Sequence, residues 1–389
     1  MPWPAMVGPR FARGPRDRLE TLHPGYFALV MATGIVALAA RLHGVPLLPA
    51  VLYWLNAGFL AALATATVLR IRRYPRAFAA DLASHSRGVG FFTLVAACGV
   101  FGSQSVIQQG AVTAGLGLWA ATALLWALIL YGVLALLTVK PDKPSLAAGI
   151  NGGWLVSVVA TQSLAILTVT LLGAGALAGL RQPLMFAALV LWLGGGALYL
   201  WLMTLIFFRY TFLPMAPEDL TPPYWINMGA VAISTLGGAV LLEQAALSPT
   251  VTAIIPFVKG LTLFFWAIGS WWIPMLVVLG VWRYLIRGVA FAYDPLYWGG
   301  VFPLGMYSVA TGHLAADIGA PFLMRLSQAF MAIALAAWLA TFAGLVDSLL
   351  NAPRTQPRET APTPASPRPG APPPRPAAGR GGPRKRRRP

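Results

Sequence analysis

The four histidines, at 23, 43, 85 and 313, are the natural starting point for chemistry, and no two are neighbours in sequence. An enzyme needs clustered histidines around a metal, a nucleophile beside a base, or paired carboxylates. None of those spacings is present, so no catalytic centre, metal site or cofactor is expected. The nearest thing to a working pair is His313 with Asp317, one helical turn apart. The two could titrate and pass a proton, or simply be solvated at a helix end. Glu243 and Lys259 flank one loop and read more readily as a salt bridge or as snorkelling ends than as a substrate attractor; Arg325 and Asp347 read the same way. The single cysteine, Cys98, excludes an intramolecular disulfide and a cysteine-based zinc site.

What remains is a set of small and uncharged polar residues inside apolar runs: Thr33, Gly34, Thr161, Thr235, Ser308 and Thr311, accompanied by Ser103, Ser157, Gln162, Ser163 and Ser234. Such groups can line a path that holds an anion weakly and lets it leave, or they can hydrogen-bond packed helices to one another. No apolar run carries a clear ionisable residue at its centre, where a charge costs at least about 2.5 kcal/mol. That pattern suits a passive path better than a coupled carrier. The run Trp298-Gly299-Gly300-Val301-Phe302-Pro303-Leu304-Gly305-Met306-Tyr307-Ser308 is the most unusual. Pro303 removes a backbone donor and predicts a kink. Phe302 beside it can block a narrow conduit sterically and by dewetting, or pack as an ordinary core residue.

The elements that must position these groups are set by composition. The chain of 389 residues is 58% hydrophobic and 10% charged, with a mean hydropathy of +0.70, so most of it is solvated by lipid. A crossing takes roughly 20 apolar residues. Ten such runs are legible, at 25–42, 47–69, 88–107, 115–138, 152–173, 184–207, 224–242, 256–282, 296–314 and 322–349. They are too long, and too uniform, for the strands of a barrel. The formal charge of +17 is concentrated between runs and in the tail, where ten of the 28 Lys and Arg residues lie between Arg354 and Arg388. Every second loop is basic: Arg70, Arg72, Arg73, Arg76 and Arg87, then Lys140 and Lys143, then Arg209, then Arg283 and Arg287. This is the positive-inside pattern of an even number of crossings in the cell (inner) membrane with both termini cytoplasmic, and not a nucleic-acid surface.

The odd-numbered runs also resemble one another. Each begins with aromatics and passes into small residues around Thr33, Cys98, Thr161, Thr235 and Thr311, which suggests a hairpin repeated five times, although aromatic belts and small packing residues recur in membrane bundles generally. Three segments follow: 1–22 as an arginine- and proline-bearing N-terminal stretch without the apolar core of a cleaved signal peptide, 23–350 as the ten-helix transmembrane domain, and 351–389 as a Pro/Arg-rich tail expected to be disordered. The tail's terminal Arg and Lys cluster fits a topology anchor, an anionic-lipid contact, or a docking arm if the protein were a membrane scaffold.

Three stretches carry a likeness to a known family: His23-Pro24-Gly25-Tyr26-Phe27-Ala28-Leu29-Val30-Met31-Ala32-Thr33-Gly34-Ile35, Trp225-Ile226-Asn227-Met228-Gly229-Ala230, and Phe302-Pro303-Leu304-Gly305-Met306 running to Val309-Ala310-Thr311. On these residues the chain resembles the tellurite-resistance/dicarboxylate-transporter family, which includes plant slow anion channels and fungal malate and sulfite transporters. The resemblance spans about residues 23–349. It implies five helical hairpins around a central pore, odd helices inside, usually in a homotrimer, with a phenylalanine of the ninth helix, here Phe302, as the pore gate. The expected cargo is a small anion: chloride, nitrate, sulfite, a malate-type dicarboxylate or tellurite. A proton-linked exporter of dicarboxylate, sulfite or tellurite is the alternative. In that family several odd helices are bent by a proline in mid-helix, whereas here only the ninth carries one.

Overall fold

The computed structural model describes residues 18–290 and 293–351; the N-terminal segment through residue 17 and the Pro/Arg-rich tail beyond residue 351 lie outside them. Ten long helices follow in order: α1 (Ala28–Leu42), α2 (Leu48–Arg73), α3 (Phe92–Gln109), α4 (Val112–Val139), α5 (Val156–Gly173), α6 (Arg181–Phe212), α7 (Ile226–Glu243), α8 (Ile255–Val281), α9 (Trp298–Asp317) and α10 (Leu323–Leu350). Strands are absent among the described residues. Nine of these helical segments are long and apolar enough to cross a membrane. The remaining one, α9, has 20 residues, but three glycines ahead of Tyr307, Pro303, His313 and Asp317 dilute its apolarity. The chain is an all-α polytopic membrane protein.

The odd helices form a closed inner ring. α1 packs on α3, α3 on α5, α5 on α7, α7 on α9, and α9 back on α1. Each even helix covers the groove outside, packed on the inner helix before it and the inner helix after it; α10 completes the circle by leaning on both α9 and α1. Sequence accounts for the division. Odd helices are rich in Gly, Ala, Ser and Thr, which allow close approach on two sides. Even helices present Leu, Phe and Trp all round, and their outer faces stay exposed, as at Trp54, Leu128, Trp201 and Trp271. The apolar stretch of α5 is accordingly 94% buried and that of α10 only 11%.

Basic residues that read as topology signals also tie the loops. Arg70, in the last turn of α2, donates to the carbonyl of Glu20 (2.9 Å). Lys140, after α4, donates to the carbonyl of Ala83 (2.9 Å). Arg209, in the last turn of α6, donates to the carbonyl of Ile150 (2.7 Å). Arg283, in the π turn Trp282–Ile286 that extends α8, donates to the carbonyls of Pro217 and Leu220. In each case the cation at the end of an even helix holds the segment that leads into the odd helix of the same hairpin. Four hairpins therefore share one device.

Candidate functional site

Each odd helix is entered through one 3-10 turn: Pro24–Phe27, Gly88–Phe91, Gly152–Leu155, Pro222–Trp225 and Pro295–Tyr297. The five turns also pack in a ring, closely enough that a Cβ on Gly152 would lie 2.3 Å from the carbonyl oxygen of Pro223. Three are capped by side chains that accept backbone N–H: His23 from Gly25 (3.0 Å), Asn151 from Gly153 (2.8 Å) and Asp294 from Leu296 (2.7 Å). Inside the ring is a cavity of about 240 Å³ whose wall includes His23, Arg87, Thr93 and Asn151. Burial and then the neighbouring Arg87 charge hold the His23 imidazole down at about 4, so it is neutral and its Nδ1 stays an acceptor. Arg87 is itself anchored, through Nε to Asp81 at 2.7 Å and through its terminal nitrogen to the carbonyl of Leu22. Asp81 also receives Arg70 at 2.7 Å. Burial alone would raise the Asp81 carboxyl, but the two guanidinium hydrogen bonds hold it below the ordinary carboxylate value.

A second cavity, about 420 Å³, opens at the other end of the inner ring and is walled by all five odd helices. The two are in register. Ala28, Thr93, Val156, Ile226 and Gly299 border the first, and Ile35, Val100, Ser163, Ile233 and Met306, each seven residues further on, border the second. Seven residues are nearly two full turns, so both sets lie on the same face of their helices, about 10 Å apart along the axis. The intervening positions of that face belong to Met31 and Ala32, Ala96 and Ala97, Val159 and Ala160, Gly229 and Ala230, and Phe302 and Pro303, all buried. Phe302 is the one aromatic residue among them, 1% exposed, and it borders neither cavity. Pro303 turns to α7, where a Cβ on Gly229 would meet its Cγ at 2.6 Å.

Of the hydroxyls singled out in the sequence, those of Thr33, Thr161, Thr235, Ser308 and Thr311 are each engaged in a hydrogen bond. Thr33 receives the indole N–H of Trp338 (2.9 Å), Thr161 that of Trp126 (2.9 Å) and Thr311 that of Trp266 (3.0 Å). Ser308 and Ser327 exchange hydroxyl-to-carbonyl bonds of 2.7 Å between α9 and α10. Thr235 returns its hydroxyl to the Val231 carbonyl (2.8 Å), and Gly34 is where Val100 and Asn56 crowd in. None of the six borders either axial cavity. Thr33, Thr161, Ser308 and Thr311 are thus engaged in interhelical hydrogen bonds, and Thr235 in one within its own helix, because a buried hydroxyl in a dry interface must find a partner. The indole donors come from the preceding outer helix each time: α10 to α1, α4 to α5, α8 to α9, joined by Trp192 of α6 to the Ser234 carbonyl of α7 (2.7 Å). Ser103 and Ser163 do border the larger cavity.

His313 and Asp317 lie near the mouth of that cavity, but the partner of His313 is Glu243 of α7: its Nδ1 lies 2.5 Å from Glu243 Oε1. Both border the cavity, as does Arg41 of α1. Asp317 keeps one carboxylate oxygen buried and without a hydrogen bond among the described residues. Sequence spacing missed this pairing, since the two residues are 70 positions apart. It also missed Arg87 and Asn151, whose only sequence signal was a basic residue and an Asn-Gly-Gly just ahead of two odd runs.

A ring of odd helices with matched cavities at its two ends is what the comparison with known sequences addresses. The profile of the voltage-dependent anion channel family, named SLAC1, matches residues 21–346. The chain belongs to that family. Among the similar proteins is an uncharacterized membrane protein of Mycobacterium tuberculosis (strain H37Rv), 37% identical over 152 residues, 39% of this chain and 77% of that protein. An uncharacterized transporter of Methanocaldococcus jannaschii is 26% identical over 313 residues, 78% of this chain and 86% of that protein. A sulfite efflux pump of Arthroderma benhamiae is 25% identical over 356 residues, 84% of this chain and 90% of that protein. The SLAC1-family match and these relatives make the chain a multi-pass membrane protein of an anion channel and transporter family.

Proposed function

We propose that the chain conducts small anions passively along the axis of the inner ring, through a path that Phe302 closes. The observation that carries the reading is the position of Phe302 on the lining face, two half-steps between the 240 Å³ and 420 Å³ cavities, among residues that are otherwise mostly alanine or glycine. Five helix N-termini surround the smaller cavity, each worth about half a positive charge, with Arg87 on the same wall. An anion is therefore attracted to that end without meeting a deep charged trap. Ser103 and Ser163 offer weak hydroxyl contacts beyond the plug.

In this reading the transmembrane domain is 23–350 with ten crossings, α9 being held in the membrane by its neighbours and not by its own apolarity. The basic end, with both termini, faces the cytoplasm of a cell (inner) membrane, and three copies assemble. Chloride, nitrate, sulfite and malate-type dicarboxylates are the candidate cargo, sulfite drawing support from the fungal relatives, and tellurite from the resemblance alone. A proton-linked exporter is the second reading, and the contact between His313 and Glu243, with Asp317 nearby, is what favours it. Anion efflux from proteoliposomes, with and without a proton gradient, separates the two: passive conduction is indifferent to collapsing the gradient, and linked export stops.

A further inference from the structure

A cavity of about 800 Å³ lies away from the axis, where the ends of α8 and α10 lean over the start of α9. Its size is in the range of about 300–1,000 Å³ usual for sites that take small amphipathic molecules. Small side chains help create it: Gly280 of α8 faces open space and α10 contributes Ala340, while Gly344 of α10 makes room for the Tyr293 ring on the same wall. Val277, also on its wall, is 49% exposed on the outer surface, so the cavity opens sideways, where a membrane protein meets hydrocarbon. It coincides with the break in the five-hairpin repeat. The last turn of α10 carries Asp347 where α2, α6 and the extended α8 carry Arg70, Arg209 and Arg283.

The rim is polar on the α8 side. The Arg283 guanidinium lies 5.2 Å from the Tyr284 ring and keeps a buried Nε without a hydrogen bond, and it has no carboxylate within ion-pair distance among the described residues. Arg287 follows one turn later over Trp282. Asp347, on the α10 side, is exposed and accepts from Asn351 at 2.6 Å. An apolar slot open to the side, with tyrosine rings and Arg283 on its wall and Arg287 one turn beyond, matches a phospholipid: hydrocarbon inside, phosphate on guanidinium.

We infer that this groove binds one anionic phospholipid, an acyl chain lying against Gly280 and Ala340 and its phosphate at Arg283 and Arg287. The consequence reaches the axis, because Val301 and Leu304 of the groove wall bracket Phe302 and Pro303. The site itself depends on membrane embedding and not on the anion-path reading, so direct lipid binding tests it separately from flux. The full-length protein is reconstituted in phosphatidylcholine vesicles with and without phosphatidylglycerol, re-extracted, and weighed by native mass spectrometry. Wild type should retain one phosphatidylglycerol in preference to phosphatidylcholine. Gly280→Leu, which fills the slot, should lower that retention about tenfold, and Arg287→Gln should erase the headgroup preference while sparing the chain. Ala340→Leu repeats the filling test from the other wall should Gly280→Leu fail to fold. Equal retention by wild type and a folded filled variant overturns the inference, as does loss of retention on deleting residues 352–389 but not on filling the groove.

Discussion

Phe302→Ala separates a plug from an ordinary core residue because the two roles predict opposite changes in flux. A buried Phe→Ala substitution in a packed core costs about 3–5 kcal/mol. In the proposed reading the ring separates the two cavities, and the other positions at its level of the inner helices are chiefly small residues such as Ala32, Ala96, Ala160 and Ala230, so its removal should join the cavities over a stretch of about 10 Å. Since each 1.4 kcal/mol of barrier is tenfold in rate, a plug imposing only about 3 kcal/mol on a partly dehydrated anion predicts a rise of roughly a hundredfold. The assay is chloride and nitrate efflux from proteoliposomes, normalised to folded protein by size-exclusion profile and thermal midpoint. Val301→Ala, one residue away and facing the lateral groove, is the control and should leave flux near wild type. A folded Phe302→Ala that stays as impermeable as wild type, or a Val301→Ala that opens equally, refutes the placement of the plug.

Gly229→Ala drives a methyl into the Pro303 ring, at a separation of 2.6 Å. It should cost about 1–3 kcal/mol by overpacking and displace α9, read as a lower thermal midpoint with altered flux. Asp81→Asn leaves the guanidinium of Arg70, whose side chain is 4% exposed, without its counter-ion, which predicts a loss of about 3–5 kcal/mol in a denaturation experiment at neutral pH. Because the folded Asp81 carboxyl lies below its unfolded value, its contribution is complete above the ordinary carboxylate range and fades as pH falls through the lowered value. The variant's deficit should therefore shrink in strong acid. His23 takes its proton near 6.5 when unfolded but only at about 4 when folded, so stability should fall as pH drops through that window. His23→Asn, which can still cap the turn, should flatten this pH dependence in thermal melts. Glu243→Gln removes a negative charge from the mouth of the larger cavity while keeping an acceptor for His313. Anion entry from that side should rise at low ionic strength, and the difference should vanish near 1 M salt, where screening acts within about 3 Å; a persistent difference would point to a structural change.

Apolar run length, the alternation of basic loops and the recurrence of small residues in odd runs were readable as periodicity, and each has its counterpart in the helices. Thr33, Thr161 and Thr311 recur in the sequence as a repeat, yet a one-dimensional pattern carries no direction around the helix. Their hydroxyls turn to outer-ring tryptophans that stand 35 to 305 residues away in the chain. The pairing of His313 with Glu243 and the seven-residue register between the two axial cavities were illegible for the same reason: each depends on which helices become neighbours.

The sequence by itself determined that this chain is a lipid-solvated bundle of long helices, because transfer free energy and charge placement are additive along a chain, and its match over residues 21–346 placed it in an anion channel family. Only the tertiary structure decided that odd helices close into a ring, that the hydroxyls of Thr33, Thr161, Ser308 and Thr311 fasten inner helices to outer ones, and that Pro303 fits into the notch at Gly229. Those outcomes depend on how side chains of different helices share volume and hydrogen-bond partners, and that is fixed when the ring closes.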